Sequence, residues 1–145
     1  MELFRNEQDR ELKLPFADLG VSAGFPSPAQ DYIQLSIDLN RELIKNPAST
    51  FLARVKGLSM KDAGIDDGDI LIIDKSLQPL NGDIVVSYIN GEFTLKTFKK
   101  EKDGIYLMPA NQDYKPIKIN PGDNFMIWGV VTYSIRDERV KRKYR

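Results

Sequence analysis

Asn90-Gly91 is the feature that most narrows what this chain can fold into. Both residues tolerate positive φ, and they separate two runs rich in β-forming residues, 84–89 and 92–98. That pattern predicts a tight β-hairpin. The chain from Thr50 onward supplies partners for it. Phe51, Ala53 and Val55 alternate with Leu52, Arg54 and Lys56, which gives one apolar face. Ile70-Leu71-Ile72-Ile73 is the short apolar run of a buried strand. Residues 105–108, 117–119 and 125–135 supply further strands, with Trp128 expected in the core. Lys99, Lys100 and Lys102 mark an exposed hairpin end that turns at Asp103-Gly104. Helical period is weak and confined to 31–45, where Ile33, Ile37, Leu39, Leu43 and Ile44 are only roughly in step. One short amphipathic helix is expected from about Asp38, its N-cap, and Asn46-Pro47 stops it.

Residues 1–30 read as an arm and 31–145 as the folded domain. In the arm apolar residues are sparse, and Leu12, Leu14, Phe16 and Leu19 could lie along a groove but cannot build a core. Its length excludes a helix-turn-helix reader, so no sequence-specific DNA binding is expected. Ser22-Ala23-Gly24 combines small side chains with a glycine, which lets the backbone extend and approach another group closely. Pro26 and Pro28 then favour an extended path and remove amide donors, marking a hinge.

The 145 residues contain no histidine and no cysteine. A Ser-His-Asp triad, a Cys-His pair, disulfides and zinc-thiolate sites are therefore excluded. Neither metal nor other cofactor is expected. If the chain hydrolyses anything with a side-chain nucleophile, a Ser-Lys pair is the variant that survives. Ser59 sits in Gly57-Leu58-Ser59-Met60, where a strand gives way to a turn, and Lys96 lies near the end of a later strand. Each alone is ordinary: turns favour serine and strand edges favour lysine. On that strand Glu92, Thr94, Lys96 and Phe98 share one face, so a cover over the face would desolvate the lysine. Asp66, Asp67 and Asp69 lack the later ligands and closing glutamate of a calcium loop, and predict a turn rich in Asx residues instead.

Formal net charge is +0, so no whole-molecule field draws the protein to DNA or an anionic membrane. Arg136, Arg139, Lys141, Arg142, Lys143 and Arg145 nonetheless crowd the C-terminus. They read as a solvated tail or as a contact for nucleic acid or an acidic surface. No run approaches 18 apolar residues, so no membrane anchor is expected and the cytoplasm is the expected compartment.

Several blocks occur in a fixed order: Gly57-Leu58-Ser59-Met60, residues 64–71 (GIDDGDIL), Asn81-Gly82-Asp83-Ile84-Val85, and Gly91-Glu92-Phe93-Thr94-Leu95-Lys96. In this the chain resembles the LexA/UmuD-type self-cleaving serine peptidases. Residues 24–29 (GFPSPA) with Asp31-Tyr32, Ile37-Asp38-Leu39-Asn40, and Pro109-Ala110-Asn111 with Tyr114 and Pro116-Ile117 bring it nearest the UmuD branch. The similarity runs over about residues 15–135 and is far more specific than the Ser-Met dipeptide.

The resemblance implies a mainly-β fold, a folded-over antiparallel sheet with one short helix and a flexible N-terminal arm. It implies Ser59 as nucleophile, Lys96 as general base and Ala23-Gly24 as the bond cut. It further implies a homodimer, with the helix at the subunit surface, stimulation by a RecA filament on single-stranded DNA, and a UmuC-type error-prone polymerase as the partner of the cleaved form. Packing of the helix on its own sheet is the alternative. Two other functions stay open: an adaptor of polymerase or recombinase that keeps the fold without cutting itself, and a peptidase acting on other chains. Retention of both Ser59 and Lys96 speaks against the first, and the position of Ala23-Gly24 against the second.

Overall fold

The computed structural model describes residues 2–5, 13–16, 35–56, 63–110, 113 and 115–141. The chain divides into two units, residues 1–6 with 48–145, and residues 7–47. In chain order the strands are β1 (Glu2–Arg5), β2 (Lys13–Phe16), β3 (Leu35–Asp38), β4 (Thr50–Arg54), β5 (Ile70–Asp74), β6 (Ile84–Ile89), β7 (Glu92–Glu101), β8 (Gly104–Met108), β9 (Ile117–Lys118) and β10 (Phe125–Ile135). Among the described residues there are also two short α-helices, α1 (Leu39–Leu43) and α2 (Glu138–Lys141), and a 3-10 turn at Pro47–Ser49. The mainly-β antiparallel fold read from the sequence is the fold observed.

The larger unit is one eight-stranded sheet in the order β1-β4-β5-β10-β6-β7-β8-β9. Every pairing in it is antiparallel. Its middle is apolar on both faces, because strand neighbours alternate sides and both sides are covered. Cross-strand partners Val86 and Leu95 join Ala53, Val55, Ile65, Leu71 and Ile73 in one buried cluster. Val85 and Phe98 join Leu107 and Val130 in another. Leu71, Ile73, Leu107, Val85 and Val86 are fully enclosed, each worth roughly 1.5–3 kcal/mol relative to an exposed position.

β10 runs through the centre, pairing with β5 on one side and β6 on the other. Its register slips twice, between Ile127 and Gly129 and between Val131 and Tyr133. Such bulges bend the strand and sharpen its twist. At the first of them, half-buried Trp128 meets Phe51 at a tilt, with ring centroids 5.1 Å apart, and Phe93 edge-on at 6.3 Å, and packs against the first cluster. Gly129 must be a glycine for a steric reason. A Cβ there would lie 2.5 Å from Ile73 Cγ2, on a side chain with no exposed surface to retreat into. Gly129→Ala is expected to destabilise the protein by about 1–3 kcal/mol. Denaturant melts check this, and an unchanged midpoint would contradict the packing described.

In the smaller unit β2 pairs antiparallel with β3, from Lys13↔Asp38 to Phe16↔Leu35. The helix expected from about Asp38 is present as α1, directly after β3, and spans only Leu39–Leu43. Asp38 is its N-cap as expected, the carboxylate accepting from the Asn40 amide at 3.1 Å. No α1 residue is buried. α2 is a single turn that the tail's charge pattern gave no sign of.

Candidate active site

The site is built outward from the Asn90-Gly91 turn. Asn90 has φ 47° and Gly91 φ 95°, the two left-handed positions of a tight hairpin. This turn fixes the β6–β7 register, and the register places Lys96 opposite Val85. Lys96 therefore shares a sheet face with Val85 and Phe98, both buried, and is itself only 8% exposed. Desolvation by this burial pushes its pKa below the ordinary 10.5. One rung nearer the turn on the same face, Ser87 Oγ and Thr94 Oγ1 pair at 3.1 Å, with Ser87 wholly enclosed. The lysine thus sits at a boundary between a hydroxyl pair and hydrocarbon.

Ser59, Ala23 and Gly24 lie outside the described residues, as do Arg142, Lys143 and Arg145. The residues on either side of 57–62 are described. Val55 and Ile65 are buried in the first cluster together with Leu95, the neighbour of Lys96. The Val55 amide donates to the Asp69 carbonyl at 2.9 Å, and the Gly68 amide donates to the Val55 carbonyl at 2.8 Å. Nearby is the expected Asp-rich turn: the Asp69 amide donates to the Asp66 carbonyl at 3.1 Å, and Asp69 Oδ2 accepts from the Asp66 amide at 2.9 Å.

Arg136 is the residue that sequence reasoning missed. It was grouped with a solvated basic tail, yet it folds back onto this turn. β10 ends with Ile135 opposite Ile70, which sets Arg136 abreast of Asp69. Its Nη2 donates to the Gly64 carbonyl and lies 3.4 Å from Asp66 Oδ2 and 3.6 Å from Asp69 Oδ2. Asp69 is 1% exposed. The signal available in the sequence was position: Arg136 directly follows the last apolar strand, whereas Arg139 onward does not.

Among the described residues no group of three or more acidic side chains is placed to hold a metal ion. A cavity of about 550 Å³ lies at the far end of the β7–β8 hairpin, lined by residues that include Lys99, Asp103 and Tyr106 but not Lys96. Among the described residues no helix is long and apolar enough to cross a membrane.

Residues 15–132 match the Peptidase S24-like family. The chain is 41% identical over 128 residues to "Protein MucA" of Salmonella typhimurium, covering 88% of this chain and 87% of that protein. It is 43% identical over 117 residues to "Protein SamA" of Salmonella typhimurium, covering 81% of each. To the "LexA repressor" of a Polaromonas species it is 38% identical over 127 residues, which span 53% of that longer protein. With the match extending over most of its length, the chain belongs to the Peptidase S24-like family of serine peptidases.

Proposed function

We propose that the protein is a self-cleaving Ser-Lys peptidase that cuts its own Ala23-Gly24 bond. The observation that carries this reading is Lys96: a lysine enclosed in the sheet with its pKa lowered by desolvation. A surface lysine at ordinary pKa is protonated near neutral pH and cannot accept a proton. Burial moves the group toward the free amine that a general base requires.

In the reaction, Ser59 Oγ attacks the Ala23 carbonyl carbon as its proton passes to Lys96 Nζ. The tetrahedral oxyanion is held by backbone N–H groups of the turn at Ser59. It collapses by breaking the C–N bond, and Lys96 returns the proton to the departing Gly24 amine. Residues 1–23 remain as an ester on Ser59 until water, deprotonated by Lys96, releases them. Tethering substrate and nucleophile in one molecule contributes effective molarities of about 10⁵ M or more, so a two-residue apparatus suffices. An arm that is mostly misplaced keeps the reaction off, and a partner favouring the docked arm switches it on. We assign that role to RecA on single-stranded DNA, in the cytoplasm, and the role of accessory subunit of a UmuC-type polymerase to the cleaved homodimer. The family membership and the MucA, SamA and LexA relatives support this assignment. A helix with no buried residue and a half-exposed Phe93 support the homodimer.

Purified protein, incubated at alkaline pH or with RecA, ATP and single-stranded DNA, is expected to yield one cut. Intact-mass analysis should find residues 1–23 and a chain beginning Gly24-Phe25-Pro26. No cut under either condition favours the non-cleaving adaptor; a cut elsewhere removes Ala23-Gly24 from the assignment.

A further inference from the structure

We propose that Arg136 is the positioning residue that clamps the returning end of the segment bearing Ser59; its effect on cleavage rests on the Ser59–Lys96 reading above. Residues 57–62, which carry Ser59, are flanked in the chain by Val55-Lys56 on one side and Ala63-Gly64 on the other. The outgoing end is tied by backbone hydrogen bonds, Val55 to the Asp69 carbonyl and Gly68 to the Val55 carbonyl. The returning end is tied by a side chain 72 residues away in sequence, through the Arg136–Gly64 hydrogen bond. The same Nη2 lies 3.4 Å from the Asp66 carboxylate and 3.6 Å from that of Asp69. One guanidinium therefore gathers residues 64, 66 and 69 to the end of β10, whose place in the sheet is fixed on both sides.

Breaking the tie on one side costs more than breaking an exposed ion pair because it is partly dry. The Arg136 side chain is 28% exposed and that of Asp69 1%. Such pairs are strongly destabilised when one partner is removed, since the buried charge loses its compensation. The planar guanidinium can serve a carbonyl and two carboxylates at once, and an ammonium can do so only less completely. A loosened return limb displaces the nucleophile, and an error of about 1 Å costs roughly 10²-fold in rate.

The test uses the full chain in four forms: wild type, Arg136→Ala, Arg136→Lys and Arg136→Gln, with Arg139→Ala as a charge control from the same basic run. Hydrogen exchange reads the clamp and self-cleavage reads its consequence. In Arg136→Ala, amides of 57–66 are expected to exchange at least about tenfold faster, while those of β7 and β8 hold their protection. Cleavage should slow by roughly 10–10²-fold. Arg136→Lys and added guanidinium salt below denaturing concentration should each restore part of both, and Arg139→Ala should behave as wild type. Should Arg136→Ala not fold, Arg136→Gln carries the same two readouts. Unchanged exchange at 57–66 overturns the clamp. So does a uniform loss of protection across the sheet that neither lysine nor guanidinium repairs. A wild-type chain that never cuts sinks the Ser59–Lys96 reading instead, because exchange decides the clamp without any chemistry.

Discussion

Ser59→Ala and Lys96→Ala are each expected to abolish self-cleavage, by about 10⁴-fold or more, in proteins that remain folded. Removal of either partner of a nucleophile–base pair costs nearly as much as removal of both, so the double variant should be no slower than the singles. Stability separates a chemical defect from a folding one. Burial disfavours the charged form of Lys96, so replacing it by an apolar chain of similar length relieves a cost. Lys96→Met is accordingly expected to unfold at an equal or higher temperature than wild type, with a gain of about 0.5–2 kcal/mol. A calorimetric scan beside a gel of the cleavage products checks both halves. Cleavage of Lys96→Ala at the wild-type rate would remove the dyad from consideration.

The second large effect is on pH. Because desolvation lowers the Lys96 pKa, the neutral amine grows as pH rises through that lowered value. Spontaneous cleavage should climb about tenfold per pH unit below it and level off above. With no histidine in the chain, no separate step is expected near a pH of about 6.5. Stability follows with a fixed sign. Between the lowered pKa and the unfolded value of 10.5, the unfolded chain holds more protons at Lys96 than the folded one. The Lys96 contribution to stability therefore rises with pH across that window and is constant, at its least favourable, below it. Single-turnover cleavage across the range, with a thermal melt at each pH, measures both. A rate that falls steadily with pH in folded protein would contradict a lysine base.

What the sequence made legible was whatever short-range chemistry decides. Asn90-Gly91 announced the β6–β7 hairpin because only such residues accept its dihedral angles, and the Asp66–Asp69 turn and the Asp38 cap followed from side chains bonding nearby amides. The strand at 125–135 could be bounded to the residue by its apolar run. Other features depend on partners far away in sequence. β1 and β2 are four residues each, too short to show a period of two, and exist through pairing with β4 and β3. The strand at 35–38, inside the weakly periodic stretch that precedes the helix, exists through the same kind of pairing. Arg136 looked like its basic neighbours until β10 delivered it to Asp69. Of the candidate site, the face that Lys96 shares with Phe98 followed from strand alternation, whereas the burial of that face depends on what covers it and did not.

The outermost strand of the large sheet gives the proposed cut a thermodynamic direction. β1 is held at the edge by pairing with β4 over four residues, and β2 is paired with β3 in the same way. Both precede residue 24. While the chain is whole, a tether of this kind holds such segments at effective concentrations of the order of millimolar. Hydrolysis at 23–24 would turn them into a separate peptide, diluted into the whole volume of the cell. Four-residue pairings cannot withstand that dilution, so the strands leave and the amides and carbonyls along the outer edge of β4 open to water or to another extended chain. Religation would require the lost peptide to be found again at its former concentration. Escape by dilution makes a single peptide bond behave as a one-way latch.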